Sequence, residues 1–313
     1  MADNLIGTML LDRFRVDTLI ALSKVSKIYR VWDLEKDTPL AMKVLNTNAN
    51  NNSISIARFD WELQETASLT HPNIVPLHGV YKAQDNNNFL EAFIYCITLK
   101  EYLYSHNALD FEEALLFMKP LCDALFYLHT NGTPHGNLTP RNILLENNGN
   151  LFLSDFGLSQ YARDKNIPFP EKNPIYMAPE QVRGELISSA ADIYILGVIL
   201  FEMLTGEHPF QRIWESLSRK DATTPKDDWL RHAHLNLEPI DPSKIKPQIT
   251  KNLSEIILLA LEKNASLRHQ STQDFLSLLT TQKNQQDKKI LWINSKENTE
   301  SPKPARCVLS YVL

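Results

Sequence analysis

This sequence of 313 residues has few cysteines and no excess of positive charge. Its three cysteines, Cys96, Cys122 and Cys307, are odd in number and lie far apart. This arrangement fits free thiols in a reducing compartment better than a disulfide framework. The formal net charge is -5, so the chain lacks the basic field with which proteins bind nucleic acid or anionic lipid.

Long apolar runs are also missing. The longest, from Ile193 to Leu204, is too short to cross a bilayer and contains Glu202, so it predicts a buried core helix and no membrane insertion. Near the start, Asp3 stands where a secretory signal needs positive charge. We therefore expect a cytoplasmic protein, and delivery elsewhere by a non-standard secretion route stays open.

The patterns that are present divide the chain into a strand-rich part and a helix-rich part. Apolar residues alternate in 13–45 and 74–95, the second region being interrupted by a turn-like DNNN at 85–88, while 56–69 has helical spacing. Apolar stripes at helical spacing then occupy 111–130, 189–205 and 253–262, with Asp110 as an N-cap. We predict an α+β fold with a lobe at 13–95 and a lobe at 96–281, after an extension at 1–12 and before a polar tail at 282–313.

Five motifs occur in a fixed order: LAMK at 40–43, HGNLTPRN at 135–142, DFG at 155–157, YMAPEQ at 176–181 and ADIYILGVILFEMLTGEHPF at 191–210. In order and spacing they resemble the protein kinase superfamily, especially bacterial Ser/Thr kinases, over residues 13–281. The resemblance implies a bilobal fold with a small β-rich lobe and a larger helical lobe. It also implies ATP and Mg²⁺ as cofactors and a protein as substrate or partner.

Several positions match the residues with which that family holds its nucleotide. Lys43 matches the lysine that grips the phosphates, and Glu62 matches its partner on a helix. Asn142 and Asp155 match the two metal ligands, although both residue types also stabilise loops without a metal. Three apolar residues match the adenine-binding positions but fit a plain core equally well: Ile28, Ala41 and Leu144.

Other matches are architectural. Glu180 and Arg268 correspond to a buried salt bridge that fixes the activation segment, and Asp192 to an aspartate that braces the catalytic loop. We expect His135 to pack within the lobe, with no role in proton transfer.

The catalytic loop departs from the family's HRDLKPxN. Asn137 stands at the general-base position and is expected to be inactive, because a neutral amide cannot take a proton. Thr139 replaces the family's lysine. Asn173 replaces a threonine that, in the family, forms hydrogen bonds to both the catalytic aspartate and that lysine. Gly136 replaces the arginine that pairs with a phosphorylated activation loop.

The loop that covers the phosphates has also changed. The family's three glycines fall at Ala21, Ser23 and Ser26. Side chains there restrict the close backbone approach to phosphate that glycine permits, so ATP binding is expected to be weak or absent.

These losses favour a pseudokinase, meaning a nucleotide-sensing or scaffolding module with a kinase fold. The alternative is a weakly active ATP-dependent Ser/Thr kinase that uses Lys43, Glu62, Asn142 and Asp155 without an aspartate base. A fold repurposed for another nucleotide transfer is a third option that no residue singles out. The oligomeric state stays undetermined.

Three further features have plain interpretations. His232 and His234 lack companion ligands and are not expected to bind metal. The stretch 212–229 reads as a solvated loop, and a partner-binding surface is the alternative there. In the tail, Trp292 is the only candidate anchor for a partner.

Overall fold

The alternating apolar pattern of the first hundred residues forms a twisted sheet in the computed structural model, which describes residues 5–22, 26–45, 68–83, 86–92, 96–156, 173–218 and 224–283. Within these ranges six strands pair antiparallel in the order β1-β2-β3-β4-β6-β5. They are β1 (Met9–Leu10), β2 (Phe14–Leu22), β3 (Ser26–Asp33), β4 (Thr38–Leu45), β5 (Leu77–Ala83) and β6 (Asn86–Ala92).

The two faces of this sheet have different tasks, because successive side chains of a strand point to opposite faces. One face of β3 and β4 is a core that contains Tyr29, Val31 and Met42, all at most 2% exposed. Ile28 and Lys43 are direct partners in register and belong to the opposite face. Strand alternation thus places the residues predicted to contact nucleotide together, away from the core of the lobe.

The hairpin of β5 and β6 corrects one prediction. The DNNN sequence predicted a turn at 85–88, but Asn86, Asn87 and Asn88 belong to β6 and pair with Ala83, Lys82 and Tyr81. Backbone pairing with β5, and at Asn88 also with Val44 of β4, overrides the weak strand propensity of asparagine.

A second sheet, formed by β7 (Cys96–Thr98), β8 (Ile143–Glu146) and β9 (Leu151–Leu153), connects the strand-rich part to the helices. Its β8–β9 hairpin is central to the site, because Asn142 immediately precedes β8 and Asp155 follows β9 by two residues. The backbone N–H of Ser154 donates to the carbonyl of Asn142 at 2.9 Å. The hairpin therefore fixes the two predicted metal ligands relative to one another.

Helices dominate the rest of the described chain. Asp110 caps the second helix by accepting a hydrogen bond from the backbone of Glu113, which confirms the predicted N-cap. The predicted helices 111–130 and 189–205 have the expected bounds, whereas the third begins two residues earlier than predicted. The helices are α1 (Leu99–His106), α2 (Phe111–Thr130), α3 (Pro179–Val182), α4 (Ser189–Thr205), α5 (Gln211–Ser218), α6 (Lys226–Asn236), α7 (Lys251–Ala260) and α8 (residues 272–283).

Helix α4 is the centre of the larger core. Its residues from Ala191 to Phe201 are all buried, and it contacts α2, α3 and α7. A helix that is apolar on every side needs such surroundings, so the longest apolar run of the sequence is a core helix as predicted. Among the described residues no helix has the length and apolar character needed to span a membrane.

The stretch 212–229 is not the solvated loop that its composition predicted. Helix α5 covers most of the first half of this stretch, and the last residues of the stretch form the beginning of α6. Trp214 and Trp229 lie with their ring centroids 5.1 Å apart, and Trp229 is buried. The two tryptophans provide the apolar contact that a solvated loop would lack.

Candidate active site

Lys43 and Asp155, distant in sequence, meet at the cleft between the two lobes. The Lys43 Nζ donates to Asp155 Oδ1 at 2.6 Å, and Lys43 is only 7% exposed. Such a short contact is typical of a charge-assisted hydrogen bond. Asp155 has a φ of +61°, the left-handed region that a residue with a side chain rarely adopts. The structure thus brings the predicted phosphate-binding lysine to the predicted metal ligand.

The predicted adenine-binding residues lie on strands beside this pair. Ile28 is the direct partner of Lys43, Ala41 lies two residues before it on the same face of β4, and Leu144 lies on β8. All three are half-buried. Their role towards adenine stays a prediction, as does the ion pair of Lys43 with Glu62, which lies outside the described residues.

The phosphate-covering loop is described only at its edges. Ala21 is exposed near the end of β2 and pairs with Ile28, and Ser26 is the first residue of β3. Ser23 falls outside the described residues, so the weakened phosphate grip stays a prediction.

Asn137 occupies a loop whose backbone is fixed by its neighbours. Its carbonyl accepts a hydrogen bond from Asn142 Nδ2 at 2.8 Å, and its backbone N–H donates to His135 Nδ1 at 3.3 Å. This hydrogen bond engages the NH₂ half of the Asn142 amide, and the oxygen half, which alone can bind a metal, does not take part in it. This arrangement suits Asn142 to the predicted metal-ligand role.

Asp192 holds the loop from below, as predicted. It is completely buried and accepts hydrogen bonds from the backbone N–H groups of His135 and Gly136 and from His129 Nε2, all at 2.8 Å. Burial alone would raise its pKa, but the hydrogen bond and charge of His129 and the backbone donors keep the pKa below the ordinary value. His135 is fully buried, which agrees with the predicted packing role.

Gly136 has a second property besides the lost arginine charge. Its φ is +64°, its N–H is bound by Asp192, and its carbonyl accepts from Gln181 Nε2 at 2.7 Å. The peptide groups on both sides of Gly136 are therefore held by hydrogen bonds, and the residue between them has a left-handed conformation that glycine adopts without strain. Sequence reasoning missed this role, since only the missing arginine was considered there.

The activation segment is anchored at its C-terminal end. Glu180 and Arg268 form the predicted salt bridge as a bidentate pair at 2.7 and 2.9 Å, with the Arg268 side chain fully buried. Upstream of this pair, the Tyr176 hydroxyl donates to Glu202 Oε2 at 2.7 Å, and desolvation raises the pKa of the half-buried Glu202 to about 7.

Asn173 is turned towards its own backbone. Its side chain accepts a hydrogen bond from the N–H of Ile175 at 3.1 Å and caps a 3-10 turn, Pro174–Tyr176. The residue that replaces a threonine of the family therefore serves its local turn.

His232 and His234, which were not expected to form a metal site, have different surroundings. On α6, His232 is exposed beside Asn236, whereas His234 is fully buried against Tyr194. Within the described ranges no group of three or more His, Cys, Asp or Glu side chains could hold a metal.

Comparisons with known proteins agree with this geometry. A family model described as "Protein kinase domain" matches residues 16–279. The chain belongs to the protein kinase family. Serine/threonine-protein kinase PrkC of Bacillus subtilis is 30% identical over 273 residues, which cover 86% of this chain and 40% of that protein. Serine/threonine-protein kinase PknB of Mycolicibacterium smegmatis is 27% identical, over 84% of this chain and 42% of that protein.

Solved structures give the same fold. The PknI kinase domain of Mycobacterium tuberculosis superimposes with a TM-score of 0.69 at 21% sequence identity, covering 88% of this chain and 98% of that domain. The predicted bilobal kinase fold is thereby confirmed. This kinase chain spans about two fifths of the length of the curated relatives named above.

Proposed function

We propose that this kinase-family chain is a pseudokinase: a scaffolding or nucleotide-sensing module that binds a protein partner and transfers phosphate poorly or never. The observation that carries the proposal is the amide of Asn137 at the general-base position. Loss of a general base typically lowers a rate by about 10² to 10⁴. The changes at Thr139 and Asn173 remove the groups that accompany this base in relatives.

The nucleotide side of the site fits ATP and Mg²⁺, the cofactors of the family. Asp155 and the oxygen of Asn142 would hold the metal, and Lys43 would contact the phosphates. Bound Mg²⁺ would neutralise charge on the phosphate oxygens. This chain's own contribution is to orient Asp155 through Lys43 and Asn142 through the carbonyl of Asn137.

The same geometry favours a second candidate, a weakly active Ser/Thr kinase. Phosphoryl transfer depends mostly on positioning and on charge stabilisation, for which Lys43, Asp155 and Asn142 are in place. In place of an aspartate base, a γ-phosphate oxygen of ATP would then take the proton from the attacking hydroxyl of the substrate. The two candidates differ in rate and not in fold.

Location in the cytoplasm is part of the proposal. It is supported by Cys96 and Cys122, the two cysteines within the described residues, which are both free thiols. Burial raises the pKa of the Cys122 thiol far above its ordinary value, so this cysteine is chemically inert.

Transfer of the labelled γ-phosphate of ATP, to a generic protein substrate and to the chain itself, separates the candidates. The pseudokinase proposal expects that transfer by the wild-type chain is absent or barely above that of Lys43→Ala. A rate clearly above this control would establish the weak kinase instead. A parallel measurement with Mn²⁺ in place of Mg²⁺ guards against a merely unsuitable metal.

A further inference from the structure

Two histidines converge on one backbone carbonyl in the activation segment. The carbonyl oxygen of Ile175 lies 3.0 Å from His208 Nε2 and 3.1 Å from His234 Nε2. His208 comes from the loop after α4, and His234 comes from α6. Ile175 is the middle residue of the turn Pro174–Tyr176, so two separate elements of the large lobe grip the same point of the segment.

The remaining ring nitrogens define the protonation of both imidazoles. A carbonyl only accepts, so each Nε2 must carry a proton and donate. On the other side of the rings, His208 Nδ1 accepts from the backbone N–H of Phe210 at 3.4 Å, and His234 Nδ1 lies 2.9 Å from the Tyr194 hydroxyl. In each neutral ring Nδ1 is the acceptor, so Tyr194 donates. Both lone pairs of the Ile175 carbonyl are thereby used.

The surroundings favour these neutral rings. His234 packs edge-on against Phe210 and lies 5.5 Å from the His208 ring. Lys263 Nζ lies 4.7 Å from the centre of the Phe210 ring, and its positive charge opposes protonation of His234. The charges of Lys226 and Lys100 act in the same direction on His208. Desolvation by burial is the larger cause that lowers the pKa of both rings, and these positive charges act in the same direction.

At the position where the family's HRD arginine pairs with a phosphorylated activation segment, this chain has Gly136. We propose that His208 and His234 are positioning residues that clamp the Ile175 carbonyl and hold residues 173–177 in one conformation without phosphorylation. This inference deepens the proposed function, because it identifies what keeps the activation segment in place for a protein partner. It does not depend on whether phosphate is transferred.

Hydrogen exchange of the wild-type chain and its variants tests the clamp. His208→Leu removes the donor, whereas His208→Gln keeps an N–H at a similar reach. We expect exchange of the amides in 173–178 to rise roughly five- to tenfold in His208→Leu and to stay within about twofold of wild type in His208→Gln. Helix α2 serves as the internal reference, and its exchange should not change.

Three outcomes would overturn the proposal: equal exchange in the Leu and Gln variants, no change at 173–178, or a uniform rise along the whole chain. Pretreatment with a protein phosphatase should leave the wild-type protection intact, and loss of protection would show that a phosphate holds the segment. Nitrogen NMR of the wild-type chain at pH 7 provides a test without variants. The clamp requires two neutral rings protonated at Nε2, and any other state contradicts it.

None of these measurements uses nucleotide or phosphate transfer. A positive transfer assay would therefore remove the pseudokinase proposal and leave the clamp standing. Failure of the exchange and NMR tests would remove the clamp alone.

Discussion

The nucleotide side of the cleft and the catalytic loop carry very different sets of charges. On the nucleotide side, Lys43 and Asp155 form a charged contact of 2.6 Å. In the loop, Gly136, Asn137 and Thr139 are neutral where the family's HRDLKPxN motif has arginine, aspartate and lysine. The backbone of the loop is nevertheless held by buried side chains, since Asp192 and Gln181 bind both peptide groups of Gly136. Under the proposed function, the framework of the kinase fold is retained, whereas the charged groups that would assist proton transfer are replaced by neutral ones.

The largest expected effect tests the retained framework. Arg268→Met should lower the free energy of unfolding by about 3 to 5 kcal/mol, because it leaves the buried Glu180 carboxylate without its partner. Urea denaturation measures the loss. Arg183→Ala is the matched control, since its contact with Glu185 is exposed and should be worth under about 1 kcal/mol. A loss at Arg268 as small as that of the control would mean that the anchor contributes little.

The second prediction concerns the activation segment and the way in which His208 makes the stability of the protein depend on pH. Desolvation lowers the pKa of His208 from 6.5 to about 4, so the unfolded chain binds this proton more readily. The stability contributed by neutral His208 is therefore complete above about pH 6.5 and is lost as the pH falls towards 4. The loss is about 1 to 3 kcal/mol after allowing for partial exposure.

Subtracting the stability profile of His208→Gln from that of wild type isolates this contribution. The subtraction is needed because Glu202, with its pKa raised to about 7, changes stability in the opposite direction as the pH falls from 7. Parallel profiles for the two proteins between pH 7 and pH 4 would contradict the assignment.

The third prediction concerns a substitution that strains the backbone of the catalytic loop and leaves its charges unchanged. Gly136→Ala should cost about 1 to 2 kcal/mol, because alanine is strained at a φ of +64°. Gly136→Asn should cost less, since asparagine tolerates this region better. Thermal unfolding of both variants measures the difference. If alanine is tolerated as well as asparagine, the backbone account of Gly136 is wrong.

The smallest effect concerns the nucleotide. ATP with Mg²⁺ at millimolar concentration should raise the midpoint of thermal unfolding by about 1 °C, because a ligand near its Kd stabilises by only about 0.4 kcal/mol. Lys43→Ala should show no shift. A rise of more than about 5 °C would reveal a tight nucleotide site and would narrow the contrast between the two sides of the cleft.

Much of this arrangement could be read from the sequence, and the reasons differ between elements. Helices α2 and α4 were predictable because an apolar stripe and a nearly continuous apolar run leave little choice of structure. The pairing of Glu180 with Arg268 was predictable because the family motifs fix both positions. Such local and motif-based signals do not depend on the details of packing.

What was missed depends on packing or on backbone angles. Asn86–Asn88 are turn formers by propensity and became a strand through pairing with β5 and, at Asn88, also with β4. Residues 211–218 formed a helix because Trp214 could pack on Trp229. For His234 one signal existed: it follows Trp229, Leu230 and Ala233 on the buried side of α6. Its partner His208 and the shared carbonyl of Ile175 become visible only in three dimensions.

The most direct test of the separation between framework and chemistry is the rate of phosphate transfer after the loop's charges are restored. We predict that Asn137→Asp, combined with Thr139→Lys and Asn173→Thr, transfers phosphate to a protein substrate about 10²-fold or more faster than wild type. Asn252→Asp makes the same chemical change on the exposed start of α7 and should have no effect. Wild-type transfer at an ordinary kinase rate, with no gain in the restored variant, would contradict the account.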